Sequence, residues 1–115
     1  MQIDITCRNK YKISDVLRDY IDEKLPKLER FSLKIETAHV ILKQEKMNST
    51  CEIVLTGKDL RLTAIETTTA MQASFDAALG NVMQQLDRFH EKIKHHRHDK
   101  SKIKTQAAQD NEDEF

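Results

Sequence analysis

Lysine and arginine recur at fixed intervals in this chain. Lys24, Lys27 and Arg30 stand three residues apart, and Arg88, Lys92 and His95 follow at i, i+4 and i+7, with Lys94 and Arg97 elsewhere around the same turns. Lys43 and Lys46 form a shorter pair. Cations in a row along one helix face can neutralise successive phosphates and release their counterions. Such rows also serve as ordinary solvated faces, and Asp19, Asp22, Glu23 and Glu29 share the first segment. Spacing alone leaves both readings open.

The distribution of charge is uneven. The formal net charge of the 115 residues is zero. Residues 1–87 carry 12 basic and 13 acidic side chains, residues 88–104 carry seven basic and two acidic, and the last eleven carry four acids and no base. A basic segment followed by an acidic end is the asymmetry that a function must explain. Aromatic residues make up only 5% and Trp is absent, which argues against stacking unpaired bases on a platform of exposed rings.

Other chemistries find less support. His90, His95, His96 and His98 beside Asp99 are metal-ligating types, but they fall on a helix end where nothing fixes their convergence. They read as titratable RNA contacts or solvated side chains, and neither a metal nor another cofactor is expected. Two glycines in total leave no Gly-rich phosphate loop, and neither a Gly-x-Ser-x-Gly nor a Cys–His pairing at nucleophile spacing is present. The Thr67–Thr69 run reads as a strand end and helix N-cap rather than a nucleophile. The chain is therefore expected to be no enzyme and to have no small-molecule substrate. Cys7 and Cys51 read as buried reduced thiols on neighbouring strands, not as a disulfide. The polar N-terminus lacks the apolar run of a signal peptide, and no stretch approaches the ~20 apolar residues of a membrane span. A cytoplasmic protein is expected.

These residues must be positioned by regular elements. Ile3, Ile5 and Cys7 alternate with polar residues, as in a half-buried strand. Ser14 offers an N-cap for an amphipathic helix to about Arg30, carrying Leu17, Tyr20, Ile21, Leu25, Leu28 and Phe31, with a kink or restart expected near Leu25 because Pro26 lies inside it. Three strands follow, at 35–44, 50–56 and 60–66. Gly57-Lys58-Asp59 joins the last two, with Gly57 expected to supply a positive φ. Met71, Phe75, Ala78, Leu79, Val82, Leu86, Phe89 and Ile93 then mark one stripe of a second helix, in which Gly80 would permit a close approach. The order β-α-β-β-β-α predicts an α+β fold, a two-layer sandwich. Its four-stranded mixed sheet would carry both helices on one face, as in double-stranded-RNA-binding domains. The ordered domain is expected over 1–96, with a charged, disordered tail over 97–115.

Four segments carry a resemblance. The opening Met-Gln-Ile-Asp-Ile-Thr, the Lys24–Phe31 segment (KLPKLERF), Val40–Lys46 (VILKQEK), and Leu86-Asp87-Arg88 through Lys92-Ile93-Lys94 resemble the ribosome hibernation-promoting factor and ribosome-associated inhibitor (protein Y) family, in order and over residues 1 to about 95. The resemblance implies the same β-α-β-β-β-α fold. It also implies binding to the small ribosomal subunit of the 70S ribosome, in the channel that messenger and transfer RNA occupy, with silencing of translation in resting or stressed cells. By position, the contacts to ribosomal RNA would be Lys24, Lys27, Arg30, Lys43, Lys46, Arg88, Lys92 and Lys94. Relatives usually open the second helix with an acidic residue, Met and Tyr, where this chain has Ala70-Met71-Gln72, so a contact by that Tyr does not carry over. A chain this short has no room for the C-terminal dimerisation domain of long relatives, and a monomer off the ribosome is expected. The acidic end resembles that of the inhibitor type, which keeps ribosomes single. The alternative is a protein-interaction module acting on a sigma factor or another non-ribosomal partner, since some relatives carry that older label.

Overall fold

The computed structural model describes residues 1–31 and 34–97, with side chains for residues 1–30 and 34–89. The tail expected from residue 97 lies outside these residues except for Arg97, and so do the side chains of the histidine cluster.

The chain runs β1 (Gln2–Arg8), α1 (Asp15–Lys24), a 3-10 helix (Leu25–Phe31), β2 (Ile35–Glu45), β3 (Asn48–Gly57), β4 (Leu60–Thr68) and α2 (Met71–Arg97). The sheet order is β1-β2-β3-β4, with β1 parallel to β2 and the remaining pairs antiparallel. This is the α+β fold that the hydrophobic pattern predicts.

Alternation decides which face is covered. Ala38, Val40 and Leu42 of β2 and Cys51, Ile53 and Leu55 of β3 are fully buried, while His39, Ile41, Glu52 and Val54 between them face the other way and stay partly open. Both helices therefore lie on one side. Against that face α2 lays Met71, Phe75, Ala78, Val82 and Leu86, and α1 with the 3-10 helix lays Leu17, Ile21, Leu25 and Leu28. Burying each large side chain contributes about 1.5–3 kcal/mol.

Local chemistry sets the ends of the elements. The Ser14 side chain accepts from the Leu17 N–H at 3.1 Å, capping α1. The Leu25 N–H still reaches the Ile21 carbonyl, but Pro26 has no N–H for the next bond. The chain tightens there into the 3-10 helix, which is the restart that Pro26 predicts. The start of α2 differs from expectation. Ala70, not a threonine, precedes its first residue, and the Thr68 hydroxyl instead accepts from the Ala70 N–H at 3.2 Å. Ser74, buried one turn in, donates to the Ser49 carbonyl at 2.5 Å and accepts from the Thr68 N–H at 3.0 Å, pinning α2 to β3.

Three other expectations are corrected. Gly57 has no positive φ; Asp59, at 59°, takes that role in the hairpin. What Gly57 supplies is space, because a Cβ there would collide with the Lys34 carbonyl. Gly80 is exposed in α2 with open space where its Cβ would stand, so no close approach requires it. Cys7 and Cys51 are not on neighbouring strands: β2 lies between, with Leu42 paired to each of them. Two interstrand spacings of about 4.8 Å exceed the Cα separation that a disulfide can span. Cys51 is buried, and desolvation pushes its thiol up to about 12, whereas Cys7 is partly open.

These two glycines give opposite expectations. Gly80→Ala should raise stability by about 0.5–1 kcal/mol, because alanine loses less backbone entropy in a helix. Gly57→Ala should lower it by about 1–3 kcal/mol, because the strand must shift off Lys34. Urea unfolding of both variants measures this; a stabilised Gly57→Ala would refute the packing argument. Thiol labelling at pH 8 should modify Cys7 in the folded protein and Cys51 only after unfolding.

Candidate nucleic-acid interface

The change from α to 3-10 geometry at Pro26 organises the first basic row. An α-helix turns 100° per residue, so cations at a spacing of three drift around its surface. In a 3-10 helix three residues complete one turn, and positions i and i+3 eclipse. Leu25 and Leu28 thereby stack on the buried side, and Lys27 and Arg30 align on the exposed side. Lys24 closes α1 at the head of that row. Its Nζ lies 5.3 Å from the centroid of the Tyr20 ring, a cation–π distance. Tyr20 is itself fixed: its hydroxyl donates to Asp76 of α2 at 2.6 Å, and its ring meets Phe75 edge-on at 5.9 Å. The hydrogen bond to Asp76, with smaller help from burial and nearby carboxylates, raises the Tyr20 pKa above 10. One tyrosine thus joins the two helices and holds the ammonium at the end of the row.

Arg88 lies at the same end of the molecule but on the other flank of α2. It lines an open groove of about 490 Å³ between α2 and β4, with Glu66, Ala77, Asn81, Gln84 and Gln85. Asn81 donates to Glu66 at 3.0 Å, and the Gln85 amide donates to Asn81 at 2.9 Å and to the Thr63 carbonyl at 3.0 Å. The structure thus brings Lys24, Lys27 and Arg30 together and sets Arg88 across the width of α2 from them. Lys92 and Lys94 continue the α2 backbone, and their side chains lie outside the described residues.

Lys43 and Lys46 are elsewhere. They close β2 and its turn into β3, while the 3-10 helix sits by the start of β2 and β1; the N-terminal ammonium pairs with Glu29 at 3.2 Å. The length of β2 between Lys34 and Lys43 separates the two ends by about 30 Å. Beside Lys43 the parallel register places Arg8, a cation that the residue spacing did not single out. The pairing arises from the crossover between β1 and β2, and nothing within either strand announces it.

Comparison with known proteins decides the relationship. Residues 3–94 match the family described as sigma 54 modulation protein / S30EA ribosomal protein. The chain belongs to this family. It is 30% identical over 96 residues to the ribosome hibernation promoting factor of Escherichia coli (strain K12), an alignment covering 84% of this chain and all of that protein. The N-terminal domain of Thermus thermophilus Protein Y superimposes with a TM-score of 0.69 at 27% identity, covering 77% of this chain and 99% of that one. A ribosomal subunit interface protein from Coxiella burnetii has the same fold, with a TM-score of 0.68 at 21% identity over 77% of this chain and 97% of that one. The S30EA family thus supplies relatives named for ribosome hibernation and not for a reaction. Among the described residues no group of three or more His, Cys, Asp or Glu could hold a metal, and no helix is long and apolar enough to cross a membrane.

The helix-to-helix contact has a spectroscopic signature. In an alkaline absorbance titration Tyr20 should ionise above 10, and Asp76→Asn should return it toward 10. Since the folded-state pKa is the raised one, this contribution to stability is full below pH 10 and falls as pH rises past it. A Tyr20 that titrates identically in both proteins would remove the hydrogen bond from this account.

Proposed function

We propose that this chain binds the small ribosomal subunit through its 16S ribosomal RNA, in the channel for messenger and transfer RNA, and so holds ribosomes inactive in resting or stressed cells. The observation that carries the reading is the row in which Lys27 and Arg30 are aligned by 3-10 geometry and Lys24 stands at its head, with Arg88 at the same end of the molecule. Membership of the S30EA family and the names of its relatives support it. The contacts are the eight cations Lys24, Lys27, Arg30, Lys43, Lys46, Arg88, Lys92 and Lys94. They work by charge and position and transform nothing, so the protein acts without cofactor or catalysis, as a cytoplasmic monomer off the ribosome.

The sigma 54 label within the family description gives the second reading, an interaction module for a protein partner. Binding would then be indifferent to the cationic rows. Co-sedimentation with purified small subunits separates the two. Affinity should fall steeply with salt, by about 0.7–0.9 in log–log slope per phosphate contact. Joint reversal of Lys27, Arg88 and Lys92 to Glu should abolish pelleting; unchanged pelleting would refute the site. A sucrose-gradient profile with and without the protein reads whether ribosomes stay single or pair.

A further inference from the structure

The far end of the sheet holds charge that the helix rows do not account for. Arg8 ends β1 directly beside Lys43 of β2, both on the face that no helix covers. Lys10 follows in the loop after β1, and Lys46 occupies the turn after β2. None of the four has an ion-pair partner among the described residues. The nearest carboxylates are Glu45, two residues along β2 on the same face, Glu52, diagonal to Lys43 on β3, and Asp15 in the first turn of α1. Met47, 74% exposed at the tip of the β2–β3 turn, adds an apolar side chain to the cations.

The backbone supplies an independent observation. Among the described residues four other than glycine have positive φ, and three of them are here: Asn9 at 55°, Lys10 at 61° and Lys46 at 55°. Glycine or asparagine holds such a conformation at lower cost than a lysine. Two lysines therefore stand where the backbone alone would favour another residue, and local folding gives no reason for them. Both helices also begin at this end, so their positive dipole ends reinforce the same field. Cations without an ion-pair partner around an exposed methionine suit a phosphate backbone and the sugar or base edge beside it.

We infer that Arg8, Lys10, Lys43 and Lys46 form a second RNA-contacting surface, gripping a stretch of ribosomal RNA distinct from the one met by Lys24, Lys27 and Arg30. The two lie about 30 Å apart along β2. This rests on the ribosome-binding reading above and adds Arg8 and Lys10 to it. A polyanion that reaches both ends fixes the orientation of the domain as well as its affinity.

The test combines Lys10→Gly, Lys46→Gly and Arg8→Gln in the full chain, titrated onto purified small ribosomal subunits across a salt series. Glycine suits both positive-φ positions, so the thermal midpoint should hold or rise. The salt slope should become shallower by about 2–3, and binding near 100 mM salt should weaken by at least about tenfold. Wild-type binding with unchanged affinity and slope in the variant would overturn this surface and leave the proposed function standing. Weaker binding at an unchanged slope would mean a ribosomal protein meets the patch, and would also overturn it. Wild-type protein that fails to bind small subunits would overturn the proposed function, and this inference with it.

Discussion

Burial of a single face of the sheet is the constraint on which the rest depends. The two central strands place Ala38, Val40, Leu42, Cys51, Ile53 and Leu55 on one side only, and a period of two allows no compromise. Both helices must therefore share that side, and the crossover from β1 to β2 must pass over it. The opposite face keeps polar ladders, with Thr37 hydrogen-bonded to Thr56, Thr50 to Thr67 at 2.9 Å and Thr6 to His39 at 2.7 Å. With one layer of helices filling one face, cations can stand only on helix flanks, at the ends of the sheet or on its bare side.

The order of elements follows from where those ends lie. α1 returns from the end of β1 to the start of β2, and α2 leaves β4 in the same sense, so the two helices run parallel. Their C-terminal carbonyls carry partial negative charge toward one end of the molecule, where Lys24 closes α1. Asp15 in the first turn of α1 answers the opposite pole. The cations at that end are thus the ones the helix C-termini favour, whereas Lys10 and Lys46 stand at the end where both helices begin and gain nothing from the dipoles.

The fold was legible because its signals are periodic. The α2 stripe from Met71 to Leu86 and the alternation in β2 and β3 appear in the structure with the same residues buried, except that Leu79 is only partly covered. The break at Pro26 was legible too, because a missing N–H is a local fact. Its consequence was harder to read: a spacing of three looks ragged on an α-helix and becomes a straight row only in 3-10 geometry. Relations that cross the chain were not legible. The position of Cys7 two strands from Cys51, the Arg8–Lys43 neighbourhood, the placement of Arg88 on the outer flank of α2 and the collision that keeps Gly57 small all depend on which strand lies beside which. Gly57 shows the difference well. Its type suggested a turn conformation, yet the reason lies in the Lys34 carbonyl, 23 residues earlier.

The bond from Gln85 to the Thr63 carbonyl has a consequence for how copies of this chain meet one another. β4 is an outer strand, paired with β3 on one side only, and an outer strand is a template onto which another chain can zip. With the Gln85 amide nitrogen donating to both Thr63 and Asn81, and Asn81 in turn donating to Glu66, an incoming strand would have to strip away a side chain already bonded twice. The flank of α2 thus works as a guard rail at the middle of the β4 margin, while β1 forms the other edge of the sheet.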